Sequence, residues 1–411
     1  MMAQKLKSAV DAFLSRQSTP PSTIERNGVS VRVVESLSEF ESLGPAWEEL
    51  QEQAILTSVF ETHDWQYLWW KTYGRDRKLR LLVASAEGKL VGVLPLYIQT
   101  QTVMRCPVRV LRLVGTGGDT SPDDLGAVLA RGREREVAEA LAEAVSQLSG
   151  WDLLLLTDMH AESDFTRAIG EKMRAMGLHC VQSRCERISF LSLPSSWDAW
   201  LQSLHGDRRY RVRNTRKKLN AAHKVRFFVW DDPATLDQAV DRLVELHHKR
   251  WRSAGRTDHG FASAEYVGFH RAVMAACLKH DRLRFYCLEL SGEIAAMFYF
   301  YRFRDTVFLM QSGFDPDHSA LKPGQVLLGY IIEHAIGEGM KTLDFLRGEH
   351  RYKDELATGQ RETVQVTAFR QTPGAWVYRT RRQILPALKA KALRAAERLR
   401  AARQGTAPEA A

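Results

Sequence analysis

One stretch of the sequence decides the fold: Lys341-Thr342-Leu343-Asp344-Phe345-Leu346-Arg347-Gly348-Glu349-His350-Arg351-Tyr352-Lys353. A short apolar strand with one carboxylate, Asp344, ends at Arg347 and Gly348, and charged and aromatic residues then follow in a row. Polar groups at a strand end, after a glycine that frees the backbone, are typical of functional loops. Residues 324–339, just before this strand, have the pattern of a helix. The sequence therefore predicts a helix, a buried strand and a polar loop.

Length and composition limit the class of protein. The 411 residues suffice for two or three domains, and an apolar content of 45% allows large cores. No apolar run approaches the roughly 18 residues of a membrane helix, and the N-terminal residues do not resemble a secretory signal. The five cysteines form no CxxC pair, which indicates buried free thiols in a reducing compartment. We therefore expect a cytoplasmic protein, or one peripheral to the inner face of the membrane.

The net charge of +9 is concentrated in two segments. Residues 379–411 contain nine basic and two acidic residues, so the rest of the chain is nearly neutral. Within residues 380–403, apolar and basic residues alternate as in a basic amphipathic helix, which can bind an anionic membrane surface or a membrane-bound synthase. A loose solvated helix is the alternative. The second basic segment, residues 205–226, has nine cations and a single acid.

The order of predicted elements occurs twice along the chain. The first copy has a strand at 29–35, helices at 38–53 and 60–73, a hairpin of 79–86 and 89–100 that turns at Glu87-Gly88, a strand at 108–115, a loop at 116–124, a helix at 134–148 and a strand at 151–157. The second has helices at 236–251 and 263–279, a hairpin of 282–290 and 293–303 that turns at Ser291-Gly292, a strand at 306–313, a loop at 314–323, a helix at 326–337, and strands at 341–346 and 363–371. This order indicates an internal duplication; the alternative is an unrelated succession of hairpins and helices, which any α/β protein can show. The predicted fold class is α/β with a mixed sheet, and the predicted division is an N-terminal helix and linker at 1–28, lobes at 29–200 and 201–378, and the basic tail at 379–411.

This order of elements resembles the GNAT acetyltransferase fold, which is the acyl-CoA N-acyltransferase fold. The doubled form resembles the Fem-type and CelD-type acyltransferases, whose domain is also called BioF2-like. The resemblance covers about residues 31–371. It is carried by Arg208 through Leu219, Gly292-Glu293-Ile294-Ala295-Ala296, the Pro323-Gly324 helix start, and Asp344-Phe345-Leu346-Arg347-Gly348 with Tyr352-Lys353.

The loop at 315–325 is the candidate donor site. Free N–H groups at a helix N-terminus attract phosphate, and the resemblance implies that this loop holds the pyrophosphate of acetyl-CoA or another acyl-CoA. The chain has only Lys322-Pro323-Gly324 in place of the full glycine-rich signature, so a plain loop is the alternative. The predicted cofactor-binding residues are Gln311, Ser312, Lys322, Pro323, Gly324 and Gln325.

The strand-to-loop stretch supplies the candidate catalytic residues. A partly buried Asp344 can act as a base, because burial raises the pKa of a carboxyl group, or it can simply pair with an arginine. Lys353 can stabilise an oxyanion or bind a phosphate, and the resemblance places an aromatic-lysine pair, here Tyr352-Lys353, near the catalytic centre. Glu349 and His350 are further base candidates. The predicted catalytic set is Asp344, Lys353, Tyr352 and Glu349, and a solvated polar loop is the alternative.

The basic segment is the candidate contact for the acceptor. Its cations spread around a helix, so some of them must contact something other than water. A phosphorylated or glycan-precursor acceptor, the rim between the lobes and RNA all remain open, as does a solvated helix. The resemblance implies acceptor contacts at Arg211 and Arg213, and we add Arg347 and Gly348 as substrate-binding residues.

No histidine spacing fits a metal site, and no arrangement indicates a covalent acyl-enzyme. The resemblance implies that the function is transfer of an acyl group, acetyl from acetyl-CoA, to an amine or hydroxyl, by direct attack in a ternary complex. The resemblance implies a cell-envelope or polysaccharide precursor as acceptor. The alternatives are an aminoacyl-tRNA-dependent Fem-type peptidyltransferase and a non-catalytic scaffold of a polysaccharide synthesis complex.

Overall fold

A computed structural model describes residues 23–120, 122–256, 260–348 and 350–384. The described strands are β1 (Thr23–Arg26), β2 (Val29–Val34), β3 (Arg77–Ala86), β4 (Lys89–Val103), β5 (Cys106–Leu113), β6 (Val128–Leu129), β7 (Leu153–His160), β8 (His179–Ser192), β9 (Val225–Val229), β10 (Leu283–Leu290), β11 (Glu293–Phe303), β12 (Thr306–Phe314), β13 (Thr342–Asp344) and β14 (Gly359–Phe369). The described α-helices are Leu37–Ser42, Gly44–Gln53, His63–Tyr73, Glu134–Gln147, Asp164–Ala175, Trp197–Ser203, Gly206–Ala222, Leu236–Ser253, Ala264–Lys279, Pro323–Gly337, Arg351–Leu356 and Pro373–Arg379.

The described strands form one mixed sheet in the order β1-β2-β3-β4-β5-β7-β14-β8-β13-β12-β11-β10-β9, and β6 pairs with β4. The element order repeats, so we call the β1–β8 part of the chain the first lobe and the β9–β14 part the second lobe. Each lobe has a hairpin (β3-β4 and β10-β11) and one parallel pair (β5 with β7, and β12 with β13). The duplicated α/β fold that the sequence predicts is confirmed.

The last strand of each lobe pairs with the other lobe. β14, from the second lobe, lies between β7 and β8 of the first, and β8 in turn pairs with β13 of the second. The lobes are therefore joined by exchanged strands within one sheet, an arrangement that no local sequence pattern indicates.

Two cores lie on opposite faces of this sheet in the second lobe. Side chains alternate along β10 and β11, because successive residues of a strand point to opposite faces. Phe285, Met297 and Tyr299 join the core shared with the first lobe, whereas Tyr286 and Phe298 pack with the helix Pro323–Gly337. Each face of the second lobe can therefore carry a separate cavity.

Local details correct several predictions. Two helices replace the single helix at 38–53, since Pro45 near the start of the second cannot donate to the preceding turn. β13 is shorter than predicted, and the supposed polar loop after it contains the helix Arg351–Leu356. All five thiols are free, but Cys106, Cys180 and Cys185 are only half-buried. The N-terminal helix and most of the basic tail lie outside the described residues, and in the described part no helix has the length and apolarity needed to cross a membrane.

Candidate functional site

The two parallel strands of the second lobe separate where the polar stretch begins. β12 and β13 pair only from Thr306 to Phe308, opposite Thr342 to Asp344. β12 then continues to Phe314, while the chain after β13 turns away through Leu346 and Gly348, whose φ angles are 53° and 103°. A gap therefore opens between the two strands, next to the predicted catalytic residues.

Asp344 and Lys353 hold this turn from two sides. A left-handed backbone is unfavourable for a leucine, but Leu346 donates its N–H to Asp344 Oδ1 at 2.8 Å, and its carbonyl accepts from Lys353 Nζ at 3.0 Å. Lys353 Nζ also donates to the carbonyl of Arg347 at 2.7 Å, and the second oxygen of Asp344 accepts from Arg361 Nη2 at 2.8 Å. Both oxygens of Asp344 therefore have hydrogen-bond partners. The bond from Arg361 is the pairing with an arginine that the sequence left open as the alternative to a catalytic role for Asp344.

The turn is also tied to the first lobe through Arg347. Its backbone N–H and its Nε donate to the two oxygens of Asp123 at 2.9 and 2.8 Å, and its Nη2 contacts Asp158. Burial raises the pKa of Asp123 to about 7, although Arg347 favours the charged form. A second ion pair, of Arg361 with Asp124 at 2.6 Å, lies beside the first. The loop before β6 in the first lobe therefore fixes the strand end of the second.

A cavity of about 340 Å³, which we call the helix-side cavity, lies on the face of the helix Pro323–Gly337. The predicted cofactor residues Lys322, Pro323, Gly324 and Gln325 line it, together with Arg208 and Arg211 of the basic helix Gly206–Ala222. Lys322 has a left-handed backbone (φ 53°) and Pro323 occupies the first helical turn, so the helix begins abruptly at the cavity. Arg213 points to solvent and does not line the cavity.

A second cavity of about 350 Å³, the interlobe cavity, lies on the opposite face. First-lobe residues such as Trp65 and Asp119 line it opposite Tyr266 and His270 of the second lobe, and its floor includes Arg347, His350 and Lys353. Gln311, predicted to bind the cofactor, lies in this cavity, where its Nε2 donates to the Tyr266 hydroxyl at 2.9 Å.

The two cavities meet at the gap between β12 and β13. Three residues line both of them, namely Arg250, Ser312 and Tyr352. Tyr352 stacks on His350 with 5.8 Å between ring centroids, and it also makes an edge-to-face contact with Phe345. The gap is therefore a passage from one face of the sheet to the other, and Tyr352 forms part of its wall.

Burial changes the proton affinities of the groups at this passage. It lowers the pKa of Lys353 to about 8 and raises the pKa of Tyr352 to about 12. The pKa of His350 is lowered first by burial and then by the charges of Lys353, Arg250 and Arg256. Near neutral pH, His350 is therefore mostly neutral and able to accept a proton, and Lys353 is mostly charged.

Sequence reasoning found Tyr352 and Lys353 but missed Arg250 and His270. Arg250 lies in His247-His248-Lys249-Arg250-Trp251, where the polar residues at 247 and 250 share one helix face towards β12. The three-residue spacing of 247 and 250 was the sequence signal that could have placed Arg250 on the buried side of its helix. The predicted catalytic residue Glu349 lies outside the described residues. Among the described ones, Glu48, Asp64 and His280 come within 4.8 Å of one another, but His280 pairs with Asp64 at 3.3 Å, and we assign no metal to them.

Comparisons with known proteins agree with this architecture. The family described as an acetyltransferase (GNAT) domain matches residues 206–354. The chain is similar to the crystal structure of FemX, with a TM-score of 0.58 and 10% identity over 82% of this chain and 97% of that one. It is also similar to a tandem GNAT protein from the clavulanic acid biosynthesis pathway, with a TM-score of 0.44 and 13% identity over 83% and 99% of the two chains. No curated protein sequence matches the chain.

At such low identity the structural likeness concerns the fold alone. The family match lies in the second lobe, where it spans the basic helix, the Pro323-Gly324 helix start and the strand-end turn. The prediction of a duplicated GNAT fold is confirmed, and the match to an acetyltransferase domain supports the prediction of an acyltransferase. The narrower likeness to CelD-type and BioF2-like proteins stays a prediction.

Proposed function

We propose that this chain transfers an acyl group from an acyl-CoA thioester to an amine or hydroxyl, because residues 206–354 match the model of an acetyltransferase (GNAT) domain. One observation carries the proposal: two cavities on opposite faces of the sheet share Arg250, Ser312 and Tyr352 at the gap between β12 and β13. A donor in one cavity and an acceptor in the other would meet at this gap. Direct attack in a ternary complex then needs no covalent enzyme intermediate.

The helix-side cavity is the proposed donor site. A helix N-terminus whose Gly324 N–H has no hydrogen-bond partner among the described residues suits the pyrophosphate, and Lys322 and Arg211 add positive charge beside it. Apolar side chains, including Phe298, Phe314 and Leu328, line the rest of the cavity and suit the pantetheine arm. Acetyl-CoA is the proposed donor. Gln311 and Ser312, on β12, would be near the thioester.

The proposed chemistry uses the groups at the passage. His350 accepts a proton from the acceptor amine as its nitrogen attacks the thioester carbonyl, and Glu349 is the alternative base. The C–N bond forms, the charge on the carbonyl oxygen is stabilised near Lys353, and the C–S bond then breaks. Tyr352 protonates the departing thiolate. Asp344 contributes by holding the turn with Lys353, so we propose it as a positioning residue.

The proposed acceptor is a cell-envelope or polysaccharide precursor, which the family resemblance supports. The proposed location is the cytoplasm, at the inner face of the membrane, with the basic tail (residues 379–411) holding the chain on anionic lipid or on a membrane synthase. We propose lobes at residues 29–200 and 201–378. In this arrangement Arg347, which lines the interlobe cavity, and the neighbouring Gly348 would contact the acceptor.

One observation favours aminoacyl-tRNA as an alternative donor. Arg208 and Arg211 line the helix-side cavity, while Arg213, Lys217 and Lys218 of the same helix are exposed. A helix that carries cations both at the cavity and on its solvent side suits an RNA 3′ end better than a free nucleotide alone. A non-catalytic scaffold is less well supported, because both cavities are open.

Calorimetry with acetyl-CoA tests the proposal. We expect one molecule to bind per chain, and Gly324→Pro, which removes the N–H of the helix start, to weaken binding at least tenfold. The control is Gly337→Ala, at the exposed end of the same helix. No heat at millimolar acetyl-CoA, together with saturable binding of aminoacyl-tRNA, would establish the alternative donor. If neither ligand binds, the chain is a scaffold.

A further inference from the structure

Arg250 is a cation at the junction of the two cavities that has no carboxylate partner among the described residues. Its Nη1 donates to Ser312 Oγ at 2.7 Å and to the Ser312 carbonyl at 3.3 Å. Burial lowers its pKa, yet a guanidinium stays protonated in proteins. A half-buried charge with only neutral partners is costly, unless a ligand supplies the opposite charge.

The side chain of Arg250 is fixed in place, and part of it is open. Its guanidinium lies over the rings of Phe314 and Trp251, 5.4 and 5.5 Å from their centroids. Among the nitrogens of the Arg250 side chain, only Nη1 donates to Ser312. The Nε and Nη2 groups of Arg250 make no hydrogen bond to the described residues, and the Arg250 side chain lines both cavities. A planar pair of N–H groups with free donors is the geometry that binds a carboxylate or phosphate through two parallel hydrogen bonds.

The charges around the interlobe cavity leave this cation uncompensated. Arg347 lines the same cavity, but Asp123 and Asp158 neutralise it. Asp119 is the acid among the lining residues, and it already accepts a hydrogen bond from the Tyr73 hydroxyl. Lys353 adds a second cation at the floor. The described lining therefore carries more positive than negative charge, and the excess lies at the passage.

We infer that the acceptor carries an anionic group, a carboxylate or a phosphate, which Arg250 binds through its free N–H groups in the interlobe cavity. The inference rests on the proposed function and adds the chemical class of the acceptor. Binding this anion at Arg250 would place the acceptor nucleophile of the same molecule at the passage, beside Tyr352 and His350. The structure assigns Arg250 to acceptor recognition, a role that is separate from the donor contacts at Lys322 and Gly324.

Anion binding is the first test. Thermal unfolding of the full chain is followed with inorganic phosphate or with acetate at constant ionic strength, with saturating coenzyme A present to occupy the proposed donor site. We expect at least one anion to raise the midpoint by several degrees in the wild type and in Arg252→Gln, a matched variant of an exposed arginine on the same helix that lines neither cavity. In Arg250→Gln the shift should disappear, and in Arg250→Lys it should be smaller, because an ammonium cannot form the paired bonds. Equal shifts in Arg250→Gln and the wild type would overturn the inference.

Matched acceptors give the second test and separate the two anions. With acetyl-CoA as donor, alanine is compared with alaninamide, and glucosamine 6-phosphate with glucosamine. We expect the anionic member of one pair to have a kcat/KM about 100-fold higher, in keeping with the worth of a desolvated charge pair, and the preference to vanish in Arg250→Gln. A preference that survives in Arg250→Gln, or a rate loss equal for both members, overturns the inference. If no pair is acetylated, the anion-binding result decides.

The two proposals can fail separately. If acetyl-CoA binds but neither anion depends on Arg250, the acyltransferase proposal stands and the anionic acceptor does not. If the anions bind through Arg250 while acetyl-CoA does not bind, the anion site stands and the donor assignment fails.

Discussion

The parallel strand pair of the first lobe and that of the second begin alike and end differently. β5 and β7 pair at Val110 and Leu111 and then separate, as β12 and β13 do. In the first lobe the gap is closed by the chain itself, because Leu125 donates its N–H to the Asp158 carbonyl at 2.7 Å and accepts from the His160 N–H at 3.3 Å. In the second lobe the gap is open, and both cavities reach it.

The difference shows that two copies of one fold can have different roles: the gap of the second lobe is open to cavities, and that of the first lobe is filled by a loop with a structural role. The segment that closes the first gap also carries Asp123 and Asp124, which pair with Arg347 and Arg361 of the second lobe. This loop of the first lobe therefore has two structural roles. It closes the gap in its own lobe, and it holds the end of β13 in the second lobe. Chemistry is expected only in the copy whose gap remains open.

The largest expected effect comes from removing the charge beside the open gap. Lys353→Met keeps the length of the side chain but deletes the buried cation, and we expect kcat to fall about 10²- to 10³-fold, as for loss of one oxyanion donor. The control is Lys172→Met, on the corresponding helix of the first lobe, where Lys172 pairs with Glu143 at 2.6 Å. Steady-state kinetics with acetyl-CoA measures both. Equal rates for the two variants would remove the functional difference between the lobes.

The closed gap should matter for stability and not for turnover. Leu125 is 1% exposed, and we expect Leu125→Ala to lower the free energy of unfolding by about 3 kcal/mol, through lost burial and a cavity. Urea denaturation measures this, with Leu37→Ala, at 43% exposure, as the control. The kcat per folded molecule should stay within twofold. A variant that keeps its stability but loses donor binding would show that the first gap also binds ligand.

Filling the open side should make the second lobe resemble the first. Gly329 lines the helix-side cavity, and a Cβ there would meet only Trp197, at 3.8 Å. We therefore expect Gly329→Trp to fold and to weaken acetyl-CoA binding at least tenfold by occupying the cavity. Calorimetry compares it with Gly337→Trp on the same helix, where nothing lies within 4 Å of an added Cβ. Similar affinities in the two variants would place the donor elsewhere.

The smallest expected effect is the pH dependence of the open site. His350 must be neutral to accept a proton, and its lowered pKa puts the acid limb of kcat/KM below the ordinary histidine value of about 6.5. Lys353 must be charged, so activity should fall as pH rises through about 8. Lys353→Arg should move the alkaline limb upward by more than one pH unit. An alkaline limb that stays at the same pH in this variant would belong to another group.

Local sequence patterns predicted the elements that depend on local chemistry. The hairpin turns at Glu87-Gly88 and Ser291-Gly292 form as expected, and all four residues have positive φ, which the glycine in each pair favours. The helix Pro323–Gly337 was also predicted, because a proline start and an apolar pattern define it. The exchange of β8 and β14 was not predicted, since strands that pair across most of the chain leave no periodic signal.

The candidate site was also predictable only in part from the sequence. Tyr352 and Lys353 were predicted because five functional side chains follow one another in a single loop. The partners that set the role of each residue are distant: Asp123 lies 224 positions from Arg347, and Arg361 lies 17 positions from Asp344. Arg250 looks like an ordinary helix-surface cation until the packing shows that, among the described residues, its side-chain hydrogen bonds go to Ser312 alone and its guanidinium lies over two rings. Burial and pairing are tertiary properties, so residue type alone could not assign these roles.

The exchanged strands have a consequence for how the chain reaches its native state. β14 is the last described strand to leave the ribosome, yet β7 of the first lobe pairs with it along one edge. A nascent first lobe must therefore keep open edges at β7 and β8 until residue 369 has been made, and open edges invite wrong pairing. A fragment that ends near residue 200 would keep both edges without their partner. The duplicated gene product is thus one folding unit, whose two copies can no longer be separated.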